Sequence, residues 1–286
     1  MPALVQPFFH APTSTVSYAV YDRPGGIAAV IDSVLDFDAA AGRTGTGSAD
    51  AIAAFLAEHG LTLDWILETH IHADHLSAAP YLQRRLGGRI GIGAGVTQVQ
   101  EHFGKIFNDP LSFRPQGQPF DRLFADGETF AVGTLQSRVL HTPGHTRDSV
   151  SYLIDDAVFV GDTLFMPDGG TARCDFPGGS AAELFGSIRR LLALPEGTRL
   201  FVCHDYAPGG RVHAWETTVA EQRRANIHVR DGVDEAAYVA LRTARDRTLP
   251  MPALIIPAVQ VNAAAGRLPP PDSNGVVYLR VPVNVL

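Results

Sequence analysis

Cysteine is almost missing from this 286-residue chain. Cys174 and Cys203 are too few for a disulfide framework, so an apolar core has to hold the fold, and a reducing cytoplasm is the expected setting. No stretch approaches the roughly 18 consecutive apolar residues that a membrane span needs. The opening MPALVQPFFHAPT has no basic start, no long apolar run and an early proline, and does not read as a signal peptide. Positive charge is also short. A net charge of −7 argues against a nucleic-acid partner, which would need a basic footprint to displace counterions from phosphates. The clusters Arg84, Arg85, Arg89 and Arg223, Arg224 read as solvated helix faces. A small-molecule substrate is favoured.

What the chain does have is 45% hydrophobic residues against 19% charged, enough to bury a large core in one or two domains. β-rich runs occur at 15–21, 26–32, 63–69, 89–92, 134–141, 150–154, 157–160 and 200–203. Asp155-Asp156 is expected to turn a hairpin. Helical periodicity marks 49–59 (with Ser48 as N-cap and Gly60 as stop), 75–86, 96–107, 180–194, 213–225 and 233–248. Strands and helices intermix throughout, which predicts an α/β protein of stacked sheets covered by helices. There is no internal repeat and no low-complexity linker. The proline-rich stretch 250–286, ending in the strand-like VVYLRVPV, is expected to wrap the core or a partner subunit, and nothing in it looks chemical.

The chemistry concentrates in THIHADH, residues 69–75. His70 and His72, two apart in an extended segment, can project to one side, while Asp74 and His75 can address a neighbouring position. Imidazole and carboxylate ligands must converge within about 2 Å of a metal. Further candidates stand at other strand ends: His145 after the tight turn of HTPGH, Asp162 after AVFVG and His204 after RLFVC. His141 reads better as a hydrogen-bonded histidine than as a ligand.

His-x-His-x-Asp-His, HTPGHT, GDTLF and HDY, in that order over residues 16–206, together resemble the metallo-β-lactamase fold superfamily. The resemblance implies an αββα sandwich: a single domain over 1–286, with a core of about 14–225 and a C-terminal extension over 226–286. It assigns His70, His72 and His145 to a first metal position, Asp74, His75 and His204 to a second, and Asp162 to the bridge. Zinc β-lactamases of the commonest class lack a histidine after Asp74 and carry cysteine where Asp162 stands. Nucleases of the superfamily would want basic surface. A non-catalytic scaffold would be expected to have lost ligands, and none is lost.

Two reactions remain. A glyoxalase II-like thioester hydrolase would use two zinc ions about 3.5 Å apart sharing Asp162. A persulfide dioxygenase would use one Fe(II) per chain on His70, His145 and Asp162, since zinc has no redox chemistry for O₂. After GDTLF the chain reads ARCDFPGG, which resembles the (A/G)R-x-DF stretch of persulfide dioxygenases and of the bacterial β-lactamase hydrolase-like branch; glyoxalase II enzymes tend to carry a CGRFFEG-like stretch there. The dioxygenase reading, in sulfide detoxification, is therefore preferred. On it, Arg173 meets a carboxylate of a glutathione-like substrate, or else pairs with Asp175. Tyr206 lines the pocket or bonds substrate. Cys174 either exchanges sulfur or is simply buried. Asp205 orients a ligand histidine or holds its own turn, and His72, Asp74, His75 and His204 support the metal from behind. A low-molecular-weight persulfide and O₂ are the expected partners, and a homodimer the expected assembly.

Overall fold

The alternation along Leu135–His141 illustrates how the sheets form: Leu135, Ser137 and Val139 are buried, whereas Gln136 and Arg138 point outward. In the computed structural model, which describes residues 2–108 and 117–285, this strand belongs to one of two six-stranded sheets. The first runs Leu4–His10, Thr15–Tyr21, Ile27–Ile31, Thr62–Leu67, Arg89–Gly93, Arg122–Phe124, antiparallel at its start and parallel from Ile27–Ile31 onward. The second runs Thr129–Val132, Leu135–His141, Val150–Ile154, Ala157–Phe159, Arg199–Phe201, Glu216–Thr218, with one parallel pair between Ala157–Phe159 and Arg199–Phe201. Their inner faces meet in a core that includes Tyr18, Trp65, Phe124, Tyr152, Phe159 and Phe201.

Helices cover both outer faces. Val96–Phe107 buries Val96, Val99, Gln100, Phe103 and Phe107, the three-and-four spacing of an amphipathic helix, in the cluster over the first sheet. Ala181–Leu192 covers the second sheet through Leu184, Ile188 and Leu191, and Ser180 caps it by accepting from the Glu183 N–H. The αββα sandwich is thus the architecture of this chain.

Several element boundaries differ from expectation for local reasons. Ser48 lies inside the helix Gly47–Glu58 and donates its hydroxyl to Asp36; Thr46 takes the cap position. The helix expected from His75 starts only at Ala79, because Pro80 has no N–H and fits only a first helical turn. Leu76–Ser77 pairs instead with Val34–Asp38. The helix expected from His213 starts at Val219, where Thr218 and Glu221 form a capping box, and Glu216–Thr218 is a strand. The largest difference lies in 250–286. It contains the buried helix Ile255–Asn262, while VVYLRVPV pairs with no strand among the described residues and leaves Val281 and Val283 exposed.

Candidate metal centre

The metal-ligand candidates meet along one edge where both sheets end. Thr62–Leu67 runs out into Glu68–His75; His145 precedes Val150–Ile154; Asp162 follows Ala157–Phe159; His204 follows Arg199–Phe201. Gly144 makes the His145 turn possible. Its φ is +137°, and a Cβ there would stand 2.3 Å from backbone atoms of Leu184. Ligand atoms of His70, His145 and Asp162 lie within 4.8 Å of one another, as do those of His72, Asp74 and His75. Asp162 joins the two sets: its Oδ2 is 3.5 Å from His145 Nε2, and its Oδ1 is 3.4 Å from His204 Nε2. The Asp74 carboxylate is 3.3 Å from that same His204 nitrogen.

Each ring has one nitrogen turned toward a protein oxygen. His145 Nδ1 donates to the Arg173 carbonyl at 2.7 Å. Thr69 Oγ1 donates to Asp32, so a lone pair on that oxygen faces His70 Nδ1 at 3.0 Å. His72 Nε2 donates to Asp32 Oδ1 at 3.0 Å, and His204 Nδ1 meets the Ser14 carbonyl at 3.3 Å. The opposite nitrogens of His70, His72 and His75 (Nε2, Nδ1 and Nε2), together with Asp162 Oδ1, are buried without a hydrogen-bond partner. Orphaned buried acceptors are costly unless something absent from the protein atoms satisfies them. Such atoms in both ligand groups, His70 and Asp162 in one and His72 and His75 in the other, with each ring oriented from behind, are what metal ligation requires. Burial, and then the neighbouring imidazoles, hold His70 and His72 well below the usual histidine range, in the neutral form that ligates. For Asp74, burial opposes ionisation, but His204 and His75 outweigh it and hold the carboxyl well below its usual range.

A cavity of about 640 Å³ opens over Asp74, His145, Asp162 and His204. Tyr206 lines it, its ring stacked on His204 with centroids 5.8 Å apart, together with Phe165 and Phe176. Arg173 is also in the wall, but its side chain is engaged. It forms a two-pronged ion pair with Asp175 at 2.6 and 2.7 Å and a third bond to the Pro250 carbonyl, so the Asp175 pairing weighed from sequence is the one that forms. Cys174 is outside the wall. It is buried, and burial first and then Asp246 push its thiol up to about 12. Asp205 does not reach a ligand histidine; Arg211 and the Ala214 N–H take its oxygens, so it holds its turn. His141 bonds the Arg147 carbonyl.

Sequence reasoning missed residues that hold the centre. Asp32 accepts from the Thr69 N–H, the Thr69 hydroxyl and His72. The signal was available, since Asp32 ends the apolar run AAVI just as Asp162 follows AVFVG. Asp148 accepts from the Ile71 N–H at 2.8 Å. Burial and then the Asp32 charge push Glu68, beside His72, well above the carboxylate range. Arg245 is the other missed residue: it lines the cavity and has no ion pair among the described residues.

The metallo-beta-lactamase superfamily model matches residues 11–204. Among relatives, a probable metallo-hydrolase of Burkholderia pseudomallei is 54% identical over 99% of both chains. A beta-lactamase hydrolase-like protein of Xylella fastidiosa is 54% identical over 99% of this chain and 65% of its own length. Glyoxylase B2 of Dictyostelium discoideum is 46% identical over 99% of this chain and 98% of its own. Among solved structures, ETHE1 from Myxococcus xanthus superposes with a TM-score of 0.73 at 31% identity, covering 92% of this chain and all of that one. No helix among the described residues is long and apolar enough to cross a membrane.

Proposed function

Because the chain belongs to the metallo-beta-lactamase superfamily, we propose that it is an iron-dependent persulfide dioxygenase acting on a thiol persulfide such as glutathione persulfide. The observation that carries this reading is the buried set His70, His145 and Asp162: two imidazoles and one carboxylate within 4.8 Å, reaching the cavity through His145 and Asp162. The ARCDFPGG stretch after Asp162, which resembles that of persulfide dioxygenases, supports it, as does the likeness to ETHE1 from Myxococcus xanthus. Iron(II) on two histidines and a carboxylate would supply the redox chemistry that dioxygen needs, which zinc lacks. In the overall reaction the persulfide, O₂ and water give thiol, sulfite and two protons. The S–S bond breaks, the terminal sulfur is oxidised and O₂ is reduced.

The chain's own part is orientation and recognition. The Arg173 carbonyl fixes the His145 proton on Nδ1 and leaves Nε2 free. Phe165, Phe176 and Tyr206 give the cavity apolar walls that exclude water from the reacting sulfur. Among the described residues Arg245 is the cavity cation with no carboxylate paired to it, and it takes the role of receiving a carboxylate of the thiol carrier.

The thioester hydrolase remains the second reading, because Asp74, His75 and His204 form a complete further set around Asp162 and one relative bears the name glyoxylase B2. One experiment separates the two. Anaerobically purified, iron-loaded protein given glutathione persulfide is expected to consume oxygen and release sulfite. Rapid hydrolysis of S-lactoylglutathione with no oxygen uptake would make it a hydrolase.

A further inference from the structure

Asn262, the last residue of the helix Ile255–Asn262, lies outside the region matched by the family model, yet all of its side-chain hydrogen bonds are spent on the ligand loop. Its Nδ2 donates to the His72 carbonyl at 2.8 Å and to the His75 carbonyl at 2.7 Å, and its Oδ1 accepts from the Ser77 N–H at 2.8 Å. The residue is only 4% exposed. The two carbonyls bracket Asp74, the one ligand of this loop whose side chain is partly open, at 28%.

The Glu68 N–H still donates to the Gly91 carbonyl and the Thr69 carbonyl accepts from the Val150 N–H, but from His70 to His75 the loop is irregular, and its buried backbone groups need side-chain partners. Three anchors supply what the ladder does not. Asp32 holds the start at the Thr69 N–H, Asp148 holds Ile71, and Asn262 holds the far end from His72 to Ser77. The first two come from the sandwich itself; the third arrives from the C-terminal extension. Its helix is seated by Ala258 and Val261 packing against Leu76, and the Gln100 side chain ties the chain just beyond it by donating to the Ala263 carbonyl at 2.8 Å.

We propose that Asn262 is a positioning residue of the metal centre: its amide clamps the His72–Ser77 segment so that His72, Asp74 and His75 face Asp162 and His204, and so it sets metal affinity. The proposal rests on the centre holding a metal and is indifferent to which reaction the metal serves. The C-terminal extension thereby becomes part of the site.

The test compares the full-length wild type with Asn262→Asp, Asn262→Ala and Val259→Ala. The first is isosteric, keeps an acceptor for Ser77 and turns the double donor into an oxygen facing two carbonyls. Val259→Ala loosens the same helix without touching those bonds. Apo-protein melting temperature, affinity for Zn(II) measured against a competing chelator, and the absorption spectrum of the Co(II) form are read for each. Asn262→Asp is expected to weaken Zn(II) binding about 10–100-fold, the usual cost of removing an outer support of a metal site, and to change the Co(II) bands. Val259→Ala is expected to lower the apo melting temperature while leaving affinity and spectrum within about twofold of wild type, because it removes packing and not an outer support of the metal. Equal metal affinity in Asn262→Asp, or an equal loss in Val259→Ala, would overturn the clamp. A wild-type chain that takes up neither Zn(II) nor Co(II) would instead end the metal reading beneath it.

Discussion

The carbonyl oxygen of Arg173 stands 2.7 Å from Nδ1 of His145, while the guanidinium of the same residue is held by Asp175 and the Pro250 carbonyl. Arg173 thus acts on the metal centre through its backbone. Substitution by alanine is expected to leave metal stoichiometry unchanged. Arg245→Ala is expected to raise KM for a carboxylate-bearing persulfide about tenfold with little change in kcat, because a charge-assisted bond contributes about 1.5 kcal/mol or more. Steady-state oxygen uptake by both variants checks this, and a larger KM effect in Arg173→Ala would reverse the assignment.

Asp32 ties Thr69 and His72 together from the floor of the site. Asp32→Ala strands the Thr69 N–H and hydroxyl, His72 Nε2 and, more weakly, the Cys203 thiol, so a loss of about 3 kcal/mol or more is expected in urea unfolding of the apo protein. Metal affinity should fall as well, since His72 loses the bond that keeps its proton on Nε2.

Gly144→Ala places a Cβ against the Leu184 backbone at a φ that favours glycine. The unfolding free energy is expected to fall by about 2 kcal/mol or more, with metal content reduced as His145 shifts. A variant with wild-type melting temperature and full metal content would contradict the packing described.

Cys174→Ala is expected to keep turnover within about twofold of wild type, because substitutions away from the site's working groups have small effects. The thiol lies outside the cavity, and with its pKa up at about 12 it holds little thiolate at neutral pH. Native protein should correspondingly resist alkylation by iodoacetamide.

His228 carries a pH dependence of its own. Its Nδ1 accepts from the Thr171 N–H, and burial, then Arg242 and Arg245, lower its pKa to about 4. The unfolded chain, with an ordinary value of about 6.5, takes up that proton first as the pH falls. The contribution is therefore whole above about pH 6.5 and is lost progressively toward about pH 4. The stability gap between wild type and His228→Gln should narrow over that window; a gap constant with pH would show that the imidazole does not titrate as described.

The pattern of apolar runs was enough to read the sheet strands around the ligands, the helix Val96–Phe107 and an α/β protein of stacked sheets, because burial of one face writes a period into a chain; the αββα arrangement came from the resemblance of the motifs. The seven ligand candidates were legible for a similar reason: strand ends followed by polar residues are local features. Boundaries went astray where one residue overrode the period, as Pro80 does at the start of its helix and Thr218 with Glu221 at theirs. For Arg173, Cys174 and Asp205 the sequence offered two roles each and could not choose, since the choice turns on whether Asp175, Asp246 or Arg211 lies within reach, which only the packing decides.

By itself, then, the sequence determined the fold class and which side chains could ligate, both properties of residue type and spacing. Only the tertiary structure decided which nitrogens of His70, His72 and His75 are free, which cavity arginine has no ion pair among the described residues, and that a helix near the far end of the chain grips the ligand loop through Asn262. Those are relations between groups up to 190 positions apart, set by how the layers pack, and no local pattern carries them.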